Sequence, residues 1–229
     1  YFMAEADLAA YSINLYNFNT IPTGQYGLSV FADNNHTDDQ VAMNSSTRWV
    51  PGQWLVGSST SDDKRGEAWN FFQIRDCNYF LDQVLPKYEA GQITGSEANI
   101  RHYIGEVYML RAYAYFLKFQ DIGDCPIIET ALPDVEETLV EAAKRRPRHI
   151  VARFILSDLD KAISFLSDKT PGGKNRISKD AAYLLRSRVA LYEGTWLKHH
   201  DGTAFVPGGP GWPGSDSEGY NAQSEISYF

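Results

Sequence analysis

Leu110-Arg111-Ala112-Tyr113-Ala114-Tyr115-Phe116, followed by Gly123-Asp124-Cys125-Pro126, is the stretch that decides the fold. Through it and upstream of it, Ile100, Ile104, Val107, Leu110, Ala114 and Leu117 recur at helical spacing, which predicts one helix over residues 96–119. Ser96, ahead of Glu97 and Asn99, suits its N-cap. Arg111 stands among Val107, Leu110, Ala114 and Tyr115, so most of its side chain must be buried. A buried guanidinium needs a partner, because an uncompensated charge in the interior costs several kcal/mol. Asp124, a nearby glutamate or a backbone carbonyl is the expected partner, which gives Arg111 and Asp124 structural roles.

Four further helices read outward from this one, and no strand is evident. Residues 4–18 carry Leu8, Tyr11, Leu15 and Phe18 at spacings of three and four, and Pro22 and Gly24 stop them. Residues 66–88 place Trp69, Phe72, Cys77, Phe80, Leu81 and Val84 on one side and Phe71, Ile74 and Leu85 on the other. Two apolar sides mean packing between layers, and Asn78 in that seam reads as a satisfied core amide with a structural role. Pro147 suits the first turn of a helix over 147–167. Ser178 caps a last helix over 178–199, carrying Ala182, Leu185, Val189, Tyr192 and Trp196.

These elements read as two helical hairpins, the second and third helices forming one and the fourth and fifth the other. Hairpins apolar on more than one side bury themselves by stacking, as in tetratricopeptide-like solenoids. The expected class is therefore all-α with tetratricopeptide-like hairpins and long inserted loops. The likeness is architectural, without a strict period of about 34 residues. Residues 201–229, rich in Gly, Pro and Ser around Trp212, would not fold alone and show no closing element.

With 229 residues the chain can bury a substantial core, and its net charge of −8 argues against a nucleic-acid partner. No apolar run reaches the roughly 18 residues a membrane span requires. Two cysteines are too few for a disulfide framework, and antiparallel helices would set Cys77 and Cys125 about 25 Å apart. They are expected to be unpaired. The run Lys144-Arg145-Arg146-Pro147-Arg148-His149 reads as a solvated approach to a helix.

No enzyme motif emerges. His36, His102, His149, His199 and His200 include no zinc-protease pair, and nucleophile-elbow, phosphate-loop and dinucleotide fingerprints are missing. No cofactor and no metal site is implied. The chemistry that stands out is in residues 20–65, a long insert of a kind often used for binding. There Asp38, Asn44, Arg48, Trp49 and Trp54 are the candidate ligand-binding residues. An exposed indole offers a face on which a sugar ring can lie, and Asn, Asp and Arg groups satisfy ring hydroxyls. The alternative is that the tryptophans only fold the insert back on the helices.

The Arg111 helix with its Gly-Asp-Cys-Pro turn resembles the SusD/RagB family. Supporting blocks follow in order: Tyr1-Phe2 with Glu5-Ala6-Asp7; Trp69, Arg75, Asn78, Phe80 and Leu81; Asp158-Leu159-Asp160-Lys161-Ala162-Ile163; and Arg176-Ile177-Ser178-Lys179 with Ala181-Ala182. The resemblance implies a surface-exposed outer-membrane lipoprotein that binds oligosaccharide or polysaccharide without catalysis. It also implies delivery to a SusC-like TonB-dependent transporter. It places residues 1–200 in an N-terminal helical domain with the insert at 20–65, and 201–229 in a segment leading to a C-terminal half. No cysteine precedes Tyr1, so the lipid anchor of the family is expected on a segment absent from this chain. The competing reading is a tetratricopeptide-like module that binds a protein or peptide along a concave groove.

Overall fold

The computed structural model describes residues 1–16, 69–214 and 219–229. The chain divides into two compact units, Tyr1–Tyr16 with Asn70–Phe229, and Asn17–Trp69. The helices of the first unit are α1 (Glu5–Asn14), α2 (Phe72–Glu89), α3 (Glu97–Ile122), α4 (Glu136–Ala142), α5 (Arg148–Phe165), α6 (Lys179–His200) and α7 (Ala222–Tyr228). Among the described residues extended pairing is limited to single bridges, Ala4 with Thr94 and Cys125 with Arg146. The all-α class expected from the periodicity is the class observed.

Helix α3 is the hub. It packs against α1, α2 and α5, while α5 carries α6 and α6 carries α7. Its buried residues run round the cylinder, from Ile100, Ile104, Val107 and Leu110 to Tyr103, Tyr115, Phe116 and Phe119. A helix apolar on every side belongs inside a protein. Leu117, expected on the packed face, is exposed.

Gly105 lets α3 and α5 approach closely. A methyl group there would stand 2.9 Å from Leu166 Cγ and the Leu166 amide nitrogen and 3.1 Å from the Ala162 carbonyl oxygen. Backbone atoms yield little, so Gly105→Ala is expected to cost about 1–3 kcal/mol by overpacking, although alanine is the better helix former. Urea unfolding of the variant measures this; unaltered or raised stability would show that the crossing relaxes freely.

Helix ends follow the sequence in part. Ser178 Oγ accepts the Ala181 N–H at 3.2 Å and starts α6. Ser96 occupies the N-cap of α3, but its hydroxyl makes no capping bond. Glu5 of α1 instead docks on this end, accepting from the N–H of Ser96 itself at 2.8 Å and from the Asn99 side-chain Nδ2 at 2.6 Å. A carboxylate is the stronger acceptor beside a helix N-terminus, and it also fastens α1 to α3. Pro147 stands at the N-cap of α5, and Asp124 accepts the Arg148 N–H at 2.9 Å.

Two helices were not legible. The link after Pro126 contains α4, and the tail closes with α7, where Asn221 Oδ1 accepts the Ser224 N–H at 2.9 Å. Arg153 of α5 holds the tail through Glu225 at 2.9 and 3.0 Å and lies 3.6 Å over the Tyr228 ring. An ionic and aromatic clamp on a distant helix leaves no periodic signal in the tail. The basic run 144–149 is likewise not wholly solvated, since Arg148 and His149 are buried. Arg148 pairs with Glu193 at 2.8 Å, and its guanidinium lies 4.0 Å over Trp196 and 4.4 Å over Phe119. Burial raises the Glu193 carboxyl to about 7 despite that partner. Cys77 and Cys125 are free and buried, and burial pushes both thiols up to about 12.

Candidate functional site

Two buried arginine networks fix the helices, and the second borders a cleft. In the first, Arg111 of α3 donates from Nε to Asp158 Oδ2 at 2.6 Å and from Nη2 to Asp158 Oδ1 at 2.8 Å. Its Nη1 reaches Asn78 Oδ1 at 2.8 Å and the Glu129 carbonyl at 3.1 Å. Asn78 Nδ2 in turn donates to the Ile128 and Thr130 carbonyls at 2.8 and 3.1 Å. Tyr115 O–H exchanges hydrogen bonds with the Ile128 carbonyl and N–H at 3.1 and 2.7 Å. The network ties α2, α3, α5 and the segment around Ile128 into one body. The carboxylate partner of Arg111 is thus Asp158, neither Asp124 nor a glutamate. Asp124 is engaged at the start of α5, and a bidentate pair needs a carboxylate facing the guanidinium plane, which α5 supplies.

The second network centres on Glu106, fully buried on α3. Arg176 donates to it from Nε at 2.8 Å and from Nη2 at 2.6 Å, also bonds Ser12 of α1, and lies 4.6 Å over the Tyr103 ring. His102 Nδ1 accepts the Ser167 N–H at 3.1 Å, so the proton of the neutral ring sits on Nε2, 3.3 Å from Glu106 Oε1. The Tyr16 hydroxyl oxygen accepts the Ile177 N–H at 2.9 Å. Burial by itself would raise the Glu106 carboxyl, but the hydrogen bonds and charge of Arg176, with the His102 and Tyr16 side chains beside it, hold it below the ordinary glutamate range.

Beside this network opens a cleft of about 870 Å³ between the first turn of α3 and the α5–α6 connection. Asn99, Asp168, Lys169, Thr170, Pro171, Arg176 and Ser178 line it. Gly172 and Gly173, at φ 72° and 71°, form its floor in a left-handed backbone conformation that glycine adopts without strain. Lys179 pairs with Asp168 at 2.9 Å and closes the connection onto the start of α6. Nothing in the sequence singled out this cleft, because its polar residues are ordinary loop residues until folding sets Asn99 opposite them.

The candidate residues Asp38, Asn44, Arg48, Trp49 and Trp54 fall in residues 17–68, outside the described residues. Trp212 is described; it is half-buried, with its indole N–H packed against Gly214. Among the described residues, no group of three or more His, Cys, Asp or Glu side chains is arranged to hold a metal, and no helix is long and apolar enough to cross a membrane.

Comparison with known proteins fits this architecture. Residues 3–191 match the SusD-like family described as starch-binding and associating with the outer membrane, and the chain belongs to that family. Its members are carbohydrate-binding proteins rather than enzymes. SusD-like protein P2 of Formosa agariphila is 29% identical over 163 residues, covering 66% of this chain and 32% of that protein. A SusD-like protein of Bacteroides fragilis has a solved structure that superposes with a TM-score of 0.62 at 25% identity, over 86% of this chain and 37% of that one. A SusD superfamily protein of Bacteroides vulgatus, 19% identical with a TM-score of 0.53 over 87% of this chain and 46% of that one, shares the fold. The chain thus spans about a third of the length of the first two.

Proposed function

We propose that this chain is the helical, non-catalytic portion of a cell-surface glycan-binding subunit that captures oligosaccharide and passes it to a TonB-dependent outer-membrane transporter. In this reading residues 1–200 are the N-terminal helical domain, 20–65 are its binding insert, and 201–229 lead on from it. Outer-membrane location through an N-terminal lipid anchor belongs to the same proposal. The observation that carries it is the family match over residues 3–191. Trp49 and Trp54 would supply stacking faces, and Asp38, Asn44 and Arg48 directional hydrogen bonds. Such open, hydrated sites bind modestly, which favours release to a transporter.

Calorimetric titration with a glycan panel tests the assignment of the insert. The Trp49→Ala, Trp54→Ala double variant is expected to lose about tenfold or more in affinity, the loss of roughly 1.4 kcal/mol or more of stacking. Wild-type affinity in that variant, for a sugar that the parent binds, would remove these indoles from the site.

A further inference from the structure

We propose that the cleft between the first turn of α3 and the α5–α6 connection is a second sugar-binding subsite, one that holds a short stretch of oligosaccharide by hydrogen bonds. This rests on the glycan-capture reading above. At about 870 Å³ the cleft lies within the usual range of small-molecule sites. Its chemistry narrows the ligand class. Lys169 and the Arg176 Nη1 can donate, Asp168 and the Asn99 Oδ1 can accept, and the Thr170 and Ser178 hydroxyls can do both, with Pro171 adding an apolar patch, so one opening holds donors and acceptors together. Adjacent sugar hydroxyls, each a donor and an acceptor, match such a mixed set, and the C–H face of a ring suits Pro171. The Asp168 carboxylate on the wall disfavours a bare anion, and the lack of an aromatic side chain among the lining residues disfavours a flat apolar ligand.

Three of the lining side chains are also set in advance. Glu5 fixes the Asn99 amide at 2.6 Å, Glu106 fixes the Arg176 guanidinium at 2.6 and 2.8 Å, and Ser178 is held at the N-terminus of α6 by the Ala181 N–H at 3.2 Å. At Gly173 a methyl group would meet no other atom within 4 Å, so a ring can approach the backbone there directly. Groups held by neighbours outside the cleft lose little freedom on binding, which separates these walls from a chance collection of surface polar residues.

The test uses the 229-residue chain, malto-oligosaccharides and a panel of other neutral oligosaccharides, followed by calorimetry and by amide NMR shifts at Gly172 and Gly173. For a sugar that binds, the Lys169→Ala, Thr170→Val variant is expected to lose about 5- to 10-fold in affinity, as befits one or two hydrogen bonds. Its melting temperature should stay unchanged, and the two glycine amides should move on titration of the parent chain. Lys169→Ala alone, at an exposed position, serves if the double variant melts early. A sugar that binds the parent and the variants equally, without moving Gly172 or Gly173, overturns the subsite and leaves glycan capture standing. A panel in which no sugar binds the parent chain overturns the capture reading, and the subsite falls with it.

Discussion

Asp158→Ala is expected to destabilise the chain by about 3–5 kcal/mol, because it strands the Arg111 guanidinium in the core with its charge uncompensated. For a chain of this length that corresponds to a fall in melting temperature of roughly 6–20 °C. Arg111 is 3% exposed and Asp158 is fully buried, so water cannot replace the lost partner. The effect should spread, because Arg111 also holds Asn78 at 2.8 Å, and Asn78 satisfies the Ile128 and Thr130 carbonyls. Arg111→Met should cost less, because Lys161 Nζ, 3.6 Å from Asp158 Oδ1, stays as a partner for the carboxylate. The double variant Arg111→Met, Asp158→Leu should cost much less than the sum, since it removes both charges and fills the space with apolar atoms. Urea unfolding of the three variants decides the matter. Additive losses would mean that the two side chains act independently, contrary to their bidentate geometry.

Glu106→Gln is the second large effect, about 3–5 kcal/mol at neutral pH, because it leaves Arg176 charged against a neutral amide. Its pH dependence identifies the cause. The Glu106 carboxyl is held below the ordinary glutamate range in the folded chain, by contacts that vanish on unfolding. The folded state therefore binds its proton less tightly than the unfolded state does. The stabilisation is complete above the unfolded value, about 4.5, and is lost as the pH falls through the folded value. The gap in melting temperature between wild type and variant should be widest near pH 7 and should narrow below about pH 4.5. A gap that stays constant with pH would assign the loss to packing alone.

Much of the fold can be read in the sequence because its main signal is local. Periodic apolar residues marked α2, α3, α5 and α6, and Ser178 marked the start of α6 by its own hydroxyl. What could not be read is governed by contacts between distant segments. Arg111 announces that it needs a partner, but nothing within its helix points to Asp158, 47 residues later on α5. Ser96 has the right side chain for a cap, yet its hydroxyl makes no capping bond and its N–H is tied to Glu5, 91 residues earlier. The short α7 has little apolar pattern of its own and is held by Arg153 of α5. The same limit governs the site. An indole-rich insert is visible in composition, whereas the cleft beside α3 exists only once Asn99 and the Asp168–Gly173 connection are brought face to face.

Capture of glycans without chemical change is the property on which the proposed function stands. It is measured by isothermal titration of the purified chain with an oligosaccharide panel, followed by chromatography of each sugar after prolonged contact. Saturable binding of at least one oligosaccharide is expected in the range of about 1 μM to 1 mM, weakened in Trp49→Ala, Trp54→Ala, with the sugar recovered at its original length. Binding to no sugar in the panel, or recovery of shortened chains from protein of rigorous purity, would refute glycan capture as the role of this chain.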